Sequence, residues 1–271
     1  MTEESVLKNT KIAKPLVISP FSNCKVDIII PFHSQYEKVT SLIRSIIIAV
    51  KSNPYQITLV DDCSDNKNFY KEINDQFKKE APEGYRPLVN CIRSENHIGF
   101  GGALKLGYEN TNLPYVLFMH SDCCVEDSNF MMEMGQSLLD WKREKIPVRM
   151  VSARSNNACG LSQAECTSED KQLKNIVLEN ETLPLFCAMC HRDLFKHIGG
   201  FIKSYPYAWY EDEELSYRMR KYGYKQGIST KAWIRHEGGA TIKYVWQKNK
   251  NIKEIMEKNH SMCINDIKKI H

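Results

Sequence analysis

The sequence predicts an α/β protein with a mainly parallel central sheet and flanking helices. Short apolar runs rich in β-branched residues, typical of buried parallel strands, alternate with segments of helical periodicity. Three of these runs end at Pro31, at Asp61–Asp62 and at Asp122. Alternating strands and helices form right-handed βαβ units, so we expect these strand ends at one edge of the sheet. Ligands of open α/β sheets bind at that edge, which here would be a nucleotide-sized crevice lined by carboxylates.

The first half of the chain alternates regularly between strand and helix patterns. A buried strand is predicted at Val26–Ile30, stopped by Pro31, and an amphipathic helix at 37–50. The elements predicted next are a strand at Ile57–Val60, a helix marked by Phe69, Ile73 and Phe77, a strand near Leu88–Ile92, a helix from about Ala103 and a strand at Tyr115–Met119.

The second half is less regular. Apolar residues between Phe130 and Leu139 predict a helix, and Val148–Val151 and Leu183–Cys190 predict strands. Residues 155–169 are polar and aperiodic, so they form either a mobile loop over a binding site or a plain surface loop. A short helix is then expected to end at Gly199–Gly200.

Composition indicates a protein without a membrane span or a secretory leader. The most apolar early run, Ile46–Val50, is far too short to cross a bilayer, and Glu3 and Glu4 do not fit a signal peptide. A net charge of +4 does not by itself indicate a nucleic-acid partner. Ten cysteines in a chain of 271 residues are interpreted as reduced thiols of a cytoplasmic protein.

A cluster of glycines precedes the third predicted helix. Gly99, Gly101, Gly102 and Gly107 do not form the GxGxxG pattern and do not follow the first strand, so a dinucleotide fingerprint is not expected. Such glycines serve either a backbone that approaches a ligand or a closely packed helix start. No GxxxxGK[ST] sequence is present.

Four acidic residues and three aromatic residues stand together near residue 210. The acids at 211–214 open a predicted helix, where the helix dipole alone favours them. Tyr207, Trp209 and Tyr210 precede them, and aromatic rings beside carboxylates are typical of sugar sites, where rings stack on sugar faces and acids bind hydroxyls.

Taken together and in this order, six segments resemble the family-2 inverting glycosyltransferases of GT-A fold. The resemblance spans roughly Val26 to Thr241 and rests on VDIIIPFHSQ, ITLVDDCSDN, NHIGFGGALKLG, YVLFMHSDCCVED, CAMCHRDLFKHIGGF and WYEDEELSYRMRKYGYK. It implies a nucleotide-sugar-binding half at 25–127 and an acceptor-binding half at 128–240 of one GT-A domain. An N-terminal extension at 1–24 and a basic helical tail at 241–271 flank this domain.

The resemblance implies a donor and metal site. In this family a DxD turn holds a divalent metal that bridges the donor diphosphate, which implies Mn²⁺ or Mg²⁺ here. The metal ligands would be Asp122 and, in WIRHEGG, His236. His120 stands where DxD has its first acid. It either ligates the metal or binds the ribose or phosphate, or the site holds metal poorly. The residues implied to contact the nucleotide sugar, for which family habit favours uridine, are Pro31, Phe32, His33, Asp62, Gly101, His120 and Ser121.

The resemblance also implies the chemistry. The ED pair falls on Glu211 and Asp212, with Asp212 as the base and Glu211 positioning it or binding acceptor hydroxyls. Trp209 would stack on the acceptor, and Tyr210 would contact it. The expected reaction is a single displacement with inversion. The acceptor, a glycan, a lipid-linked sugar or another hydroxyl compound, would place the protein in polysaccharide or glycoconjugate biosynthesis.

Other interpretations stay open at this point. The missing first acid would suit a non-catalytic sugar- or nucleotide-binding protein, and a nucleotidyltransferase would share the architecture. The segment Cys187–His191 matches the CxxCH haem pattern, and Cys187, Cys190 and His191 with Cys159 or Cys166 would suit zinc. The tail either packs on the core or contacts a membrane surface, an anionic acceptor or another subunit, and the oligomeric state is unknown.

Overall fold

A computed structural model describes residues 24–50, 55–80, 88–168, 174–239 and 251–270. Nearly all of the predicted N-terminal extension, and residues 241–250 and 271 of the predicted tail, lie outside these ranges. The strands are β1 (Val26–Phe32), β2 (Tyr55–Asp61), β3 (Leu88–Arg93), β4 (Tyr115–Met119), β5 (Cys123–Cys124), β6 (Val148–Ser155), β7 (Ile176–Leu178), β8 (Cys187–His191) and β9 (Lys225–His236). The helices are α1 (Tyr36–Ala49), α2 (Phe69–Glu80), α3 (Gly99–Glu109), α4 (Phe130–Arg143), α5 (Leu194–His197), α6 (Glu211–Lys221) and α7 (Ile252–Lys268).

The described strands form one mixed sheet in the order β3-β2-β1-β4-β8-β6-β9-β5, and β7 pairs with β9. The neighbours β3, β2, β1 and β4 are parallel, as predicted, so the ends of β1, β2 and β4 do meet at one edge. The mixed part lies on the other side of β4, where β8 runs antiparallel to both β4 and β6. The predicted α/β architecture is therefore confirmed.

The centre of the sheet forms the core. All seven residues of β1 are buried, and α1 covers the sheet with the stripe predicted from its periodicity, which consists of Val39, Leu42, Ile43, Ile46 and Ile47. Burying each such side chain is worth roughly 1.5–3 kcal/mol, so this stripe fixes α1 on the sheet.

Strand β1 continues through Pro31, where the sequence predicted its end. The Phe32 carbonyl accepts a hydrogen bond of 2.8 Å from the Asp62 amide, so the backbone polar groups of Phe32 point toward β2. The backbone polar groups of adjacent residues point toward opposite neighbouring strands, so those of Pro31 point toward β4. The pairing of β4 with β1 ends at Ile29, before Pro31. The missing N–H of Pro31 therefore costs no ladder hydrogen bond.

Helix α3 begins at Gly99, four residues before the predicted start, because its glycines pack closely. A Cβ atom on Gly101 would lie 2.2 Å from the Lys203 carbonyl oxygen, and one on Gly107 would lie 2.5 Å from the Ile29 side chain. Strand β8 begins at Cys187, after the predicted Leu183, and the short strands β5 and β7 are not predicted at all.

Helix α7 packs against the rest of the protein, as the packing interpretation of the tail predicts. It contacts α6 and buries Ile252, Asn259 and Cys263. Among the described residues, no helix is long and apolar enough to cross a membrane.

Candidate active site

A cavity of about 600 Å³ lies at the carboxyl ends of β1, β2 and β4, within the size range of small-ligand sites. Residues from early and late parts of the chain, between Pro31 and Gly239, form its walls. The candidate residues on these walls are Pro31, Phe32, His33, Asp62, His120, Ser121, Asp122, Trp209, Tyr210, Glu211, Asp212 and His236. The fold thus brings together every predicted site residue except Gly101.

Gly101 is not on the cavity wall, so the structure does not support its predicted contact with the donor. Its α-carbon faces the main chain of Lys203 and Ser204, where any larger residue would clash. The closely packed helix start, the other interpretation of the glycine cluster, is what the structure contains.

One end of the cavity is built around Asp62. Its carboxylate accepts hydrogen bonds from the amides of Ile98 (2.6 Å) and Gly99 (3.0 Å), so it caps the N-terminus of α3. The other polar neighbours are His97, whose Nδ1 lies 2.7 Å from Asp62 Oδ2, and His33, whose Nδ1 lies 2.7 Å from the Asp62 carbonyl. Asp62 therefore supports the α3 terminus, and its predicted contact with the donor stays a prediction.

His97 is a cavity residue that the sequence analysis missed. The hydrogen bond to Asp62 raises the pKa of His97, although burial acts in the opposite direction. Its ring lies 5.0 Å from the ring of His33 and 4.7 Å from that of Tyr207, measured between centroids. The signal available in the sequence was its position directly before the glycine cluster.

Beside β4, His120, Asp122 and His236 bring one ligand atom each to within 4.8 Å of the others. Pairing of Cys123 with His236 between β5 and β9 brings these distant parts of the chain together. His236 Nε2 lies 3.2 Å from Asp122 Oδ1 and 3.3 Å from His120 Nδ1.

The partners of His236 make this cluster suitable for a metal ion. His236 Nδ1 is 2.8 Å from the Asn157 carbonyl, so it donates its proton there, and Nε2 faces the cluster, where it can bind a metal once its own proton is lost. Two imidazoles and one carboxylate are a donor set that binds divalent first-row metals. The residues present therefore fit the metal that the family resemblance implies.

Charge within the cluster is unevenly distributed. Burial and the proximity of His236 lower the pKa of His120, although Asp122 acts against them. Burial also acts to lower the pKa of His236, but hydrogen bonds with Asp122 and Cys159 and the charge of Asp122 raise it overall. A divalent ion would compete with the proton of His236, because a metal ligand must be deprotonated.

The two acids at the start of α6 occupy different environments. Glu211 is 2% exposed, and its Oε1 has no hydrogen-bond partner among the described residues. Burial raises its pKa strongly; the nearby Asp212 adds to this, and backbone N–H groups, including that of Gly101, oppose it. Asp212 is less buried, and Oδ2 accepts a hydrogen bond of 3.2 Å from the Leu185 amide.

Asp212 is suited to proton transfer near neutral pH. Burial raises its pKa from 3.8 to about 7, with the Leu185 hydrogen bond acting against the rise and Glu213 adding to it. A general base is most effective when its pKa lies near the working pH, and Asp212 meets that condition on a cavity wall.

The CxxCH segment does not form a haem or zinc site. Cys187 and Cys190 are buried in β8, and their separation of three residues directs them to opposite faces of the strand. Burial raises the pKa of both thiols, which disfavours the thiolate that binds metal. Within the described parts of the chain, the His120–Asp122–His236 cluster is the group with metal-ligand geometry.

Known proteins resemble the chain at the level of family and fold. The family model described as glycosyl transferase family 2 matches residues 27–199. No curated protein sequence matches the chain.

Solved structures are similar over most of the described chain. The crystal structure of S. aureus TarS 1-349 in complex with UDP-GlcNAc is 15% identical, with a TM-score of 0.55 over 78% of this chain and 58% of that one. The mannosyltransferase PcManGT from Pyrobaculum calidifontis in complex with GDP-Man and Mn²⁺ is 13% identical, with a TM-score of 0.59 over 78% and 56%. GalNAc-T7 with UDP, GalNAc and Mn²⁺ is 14% identical, with a TM-score of 0.56 over 79% and 43%. The chain thus spans less than two thirds of each of these structures.

Proposed function

The chain belongs to glycosyl transferase family 2, and on that premise we propose that it transfers a sugar from a nucleotide-diphosphate donor to an acceptor hydroxyl with inversion. The observation that carries the proposal is the meeting, in one cavity, of a cluster suited to a divalent metal and a carboxyl with a pKa of about 7. A protein that only binds sugars has no need of such a base.

The donor in this proposal is a nucleotide sugar, with uridine as the expected nucleoside. Similar structures hold UDP-GlcNAc, GDP-Man or UDP, which supports a nucleotide sugar without selecting the base. We place the nucleoside near Pro31, Phe32 and His33, at the end of β1, and the diphosphate near His120 and Ser121. Strands β1 and β4 are neighbours in the sheet, so these two groups of residues lie side by side at its edge, as adjoining parts of one donor molecule require.

Mn²⁺ or Mg²⁺ is the cofactor in this proposal, held by Asp122, His236 and His120. The ion would supply positive charge that stabilises the departing nucleoside diphosphate. The protein's own part is to hold the ligands: the Asn157 carbonyl orients His236, and the Glu237 amide donates to the Asp122 carbonyl at 3.1 Å.

Asp212 is the proposed base. Its carboxylate would accept the proton of the acceptor hydroxyl as that oxygen attacks the anomeric carbon from the face opposite the leaving group. A single displacement inverts the configuration, so no second carboxylate is needed as a nucleophile. Glu211 is held by backbone N–H groups in its buried position, which suits positioning of Asp212 better than a direct role.

Trp209 and Tyr210 are the proposed acceptor contacts. Both line the cavity and stand two or three residues before Asp212 in the chain, so an acceptor sugar stacked on them would present its hydroxyl to the base. The acceptor remains a glycan, a lipid-linked sugar or another hydroxyl compound. A cytoplasmic location, with the tail touching a membrane, is a separate prediction that the proposed reaction does not require.

Release of nucleoside diphosphate from sugar donors tests the proposal without a known acceptor, since water replaces the acceptor slowly. The protein with Mn²⁺ is incubated with UDP-, GDP- and dTDP-sugars, and release of each diphosphate is followed by chromatography. We expect release from one nucleotide class, and none after Asp212→Asn. Pyrophosphate released in a parallel incubation with a nucleoside triphosphate and a sugar 1-phosphate would indicate a nucleotidyltransferase, and tight binding of a nucleotide sugar without release would indicate a non-catalytic protein.

A further inference from the structure

The segment before α6 has an unfavourable backbone conformation. We call residues 205–210 the aromatic loop. Tyr207, Trp209 and Tyr210 have φ values of 66°, 81° and 75°, in the left-handed region that aromatic residues rarely adopt. The Ala208 amide donates to the Pro206 carbonyl at 3.0 Å, which closes a tight turn around Tyr207. Each such residue costs of order 1–3 kcal/mol, so the loop needs support from its surroundings.

Helix α3 supports the loop on one side. The Phe100 amide donates to the Tyr207 carbonyl at 2.8 Å. The backbones are so close that a Cβ atom on Gly99 would lie 2.6 Å from the Tyr205 carbonyl oxygen. These contacts lie around Tyr207 and do not involve the Ala208 carbonyl or the second acceptor position of the Pro206 carbonyl, whose first is taken by the Ala208 amide.

Helix α7 supplies partners for these acceptor positions from the other side. The fully buried Asn259 donates from Nδ2 to the Pro206 carbonyl at 2.8 Å and to the Ala208 carbonyl at 2.9 Å. Its Oδ1 has no hydrogen-bond partner among the described residues. Burial of this unsatisfied oxygen costs free energy. The two hydrogen bonds that the Asn259 amide donates are therefore the reason why an amide suits this position.

Further contacts from α7 reach the same loop. The Tyr210 ring lies 5.1 Å from the ring of His260, and the Tyr210 carbonyl lies 3.8 Å from Cys263 Sγ. The hydroxyl of Tyr205, which is 1% exposed, donates to Asp266 at 3.4 Å. One face of α7 is therefore directed at the aromatic loop along several turns.

We propose that Asn259 is a positioning residue. By fixing the aromatic loop, which leads directly into α6, it holds Asp212 in place to take the proton of the attacking hydroxyl or water, with Trp209 and Tyr210 beside it for the acceptor. The inference rests on the proposed function. It also gives a role to α7, which lies outside residues 27–199, the span matched by the family model. Asn259 does not line the cavity, so it acts through the loop, and it should affect turnover without affecting the binding of nucleotide and metal.

A purely structural role, in which Asn259 only anchors α7, makes a different prediction. Asn259→Leu keeps a similar shape and removes the unsatisfied oxygen together with the two donated bonds. If Asn259 is only an anchor, that variant should lose nothing beyond thermal stability. If it positions the loop, the variant should lose turnover even where its melting temperature equals that of the wild type.

The experiment compares wild type, Asn259→Leu, Asn259→Ala and the control Ser261→Ala, in which an exposed hydroxyl bonded to Glu257 within α7 is removed. The readouts are hydrogen exchange of the Ala208 amide, affinity for UDP with Mn²⁺, and release of nucleoside diphosphate from the donor sugar. For both Asn259 variants we expect at least tenfold faster exchange and at least tenfold slower release. Nucleotide affinity should stay within twofold, and the control should match the wild type.

Unchanged exchange and release in Asn259→Leu would overturn the proposal, as would equal losses in nucleotide affinity and release. If the wild type binds no nucleotide and releases none, the proposed function has failed, and the catalytic purpose of Asn259 fails with it. Exchange at Ala208 then still decides whether Asn259 fixes the loop.

Discussion

Replacement of Asp212 by asparagine should make the protein inactive and, above neutral pH, more stable. Asp212 carries a pKa raised from 3.8 to about 7 by burial, so the folded protein retains a proton that the unfolded chain releases. The free energy of unfolding therefore falls as pH rises from about 4 to about 7, and it levels off above that. Asparagine does not ionise, so the variant escapes this loss.

The size of the effect follows from the pKa. A shift of one pKa unit corresponds to about 1.4 kcal/mol, so a rise from 3.8 to about 7 corresponds to about 4 kcal/mol at pH 8 and about 1–2 kcal/mol at pH 5. These figures are upper limits, because Asp212 is only partly buried. Asparagine can keep the hydrogen bond from the Leu185 amide, which limits other changes to the fold.

Urea denaturation of both proteins at pH 5 and pH 8 measures this difference. Glu213→Gln, at the exposed neighbour of Asp212, is the matched control, and its stability difference from the wild type should change much less with pH, because Glu213 is a smaller cause of the raised pKa of Asp212 than burial. A stability difference between Asp212→Asn and wild type that is equal at the two pH values would show that the pKa of Asp212 is not raised in the folded protein. Turnover should fall by about 10²–10⁴ in Asp212→Asn, and wild-type turnover should rise with pH toward a plateau above about 7.

Two other substitutions test the metal cluster and the glycine cluster. In His120→Asp a second carboxylate replaces an imidazole, so the affinity for Mg²⁺ should rise relative to the affinity for Mn²⁺. Calorimetric titration of each ion measures the two affinities. If their ratio is unchanged, His120 is excluded as a ligand. In Gly101→Ala the new Cβ would lie 2.2 Å from the Lys203 carbonyl oxygen. In the control Gly102→Ala, the atom nearest to the new Cβ belongs to the Ile98 side chain and lies 3.0 Å away. Gly101→Ala should cost about 1–3 kcal/mol in urea denaturation, and a cost no larger than that of Gly102→Ala would contradict the close packing.

The sequence predicts the parallel half of the sheet well, because its signals are local. Strands β1, β2 and β4 are short apolar runs with polar ends, and α1 shows its buried stripe by periodicity alone. The strand ends then place Asp62 and Asp122 at one edge. His236 came from the family resemblance, since nothing local indicates that β9 pairs with β5 beside Asp122.

Features that depend on contacts between distant parts of the chain could not be predicted from the sequence. The function of Gly101 depends on the Lys203 carbonyl, about a hundred residues away. The role of Asp62 as a cap of α3 depends on how the turn at Ile98–Gly99 folds back onto β2. Asn259 lies in a polar helix with no motif around it, and its two hydrogen bonds become visible only when α7 is placed on the aromatic loop.

The cavity is proposed to bind a nucleoside diphosphate together with a metal ion held by Asp122. Calorimetric titration of UDP, GDP and dTDP, each with Mn²⁺ and with EDTA, measures this binding. We expect tight binding of one nucleotide that requires Mn²⁺ and is lost in Asp122→Ala. If no nucleotide binds under either condition, or if Asp122→Ala binds as tightly as the wild type, the claim is contradicted.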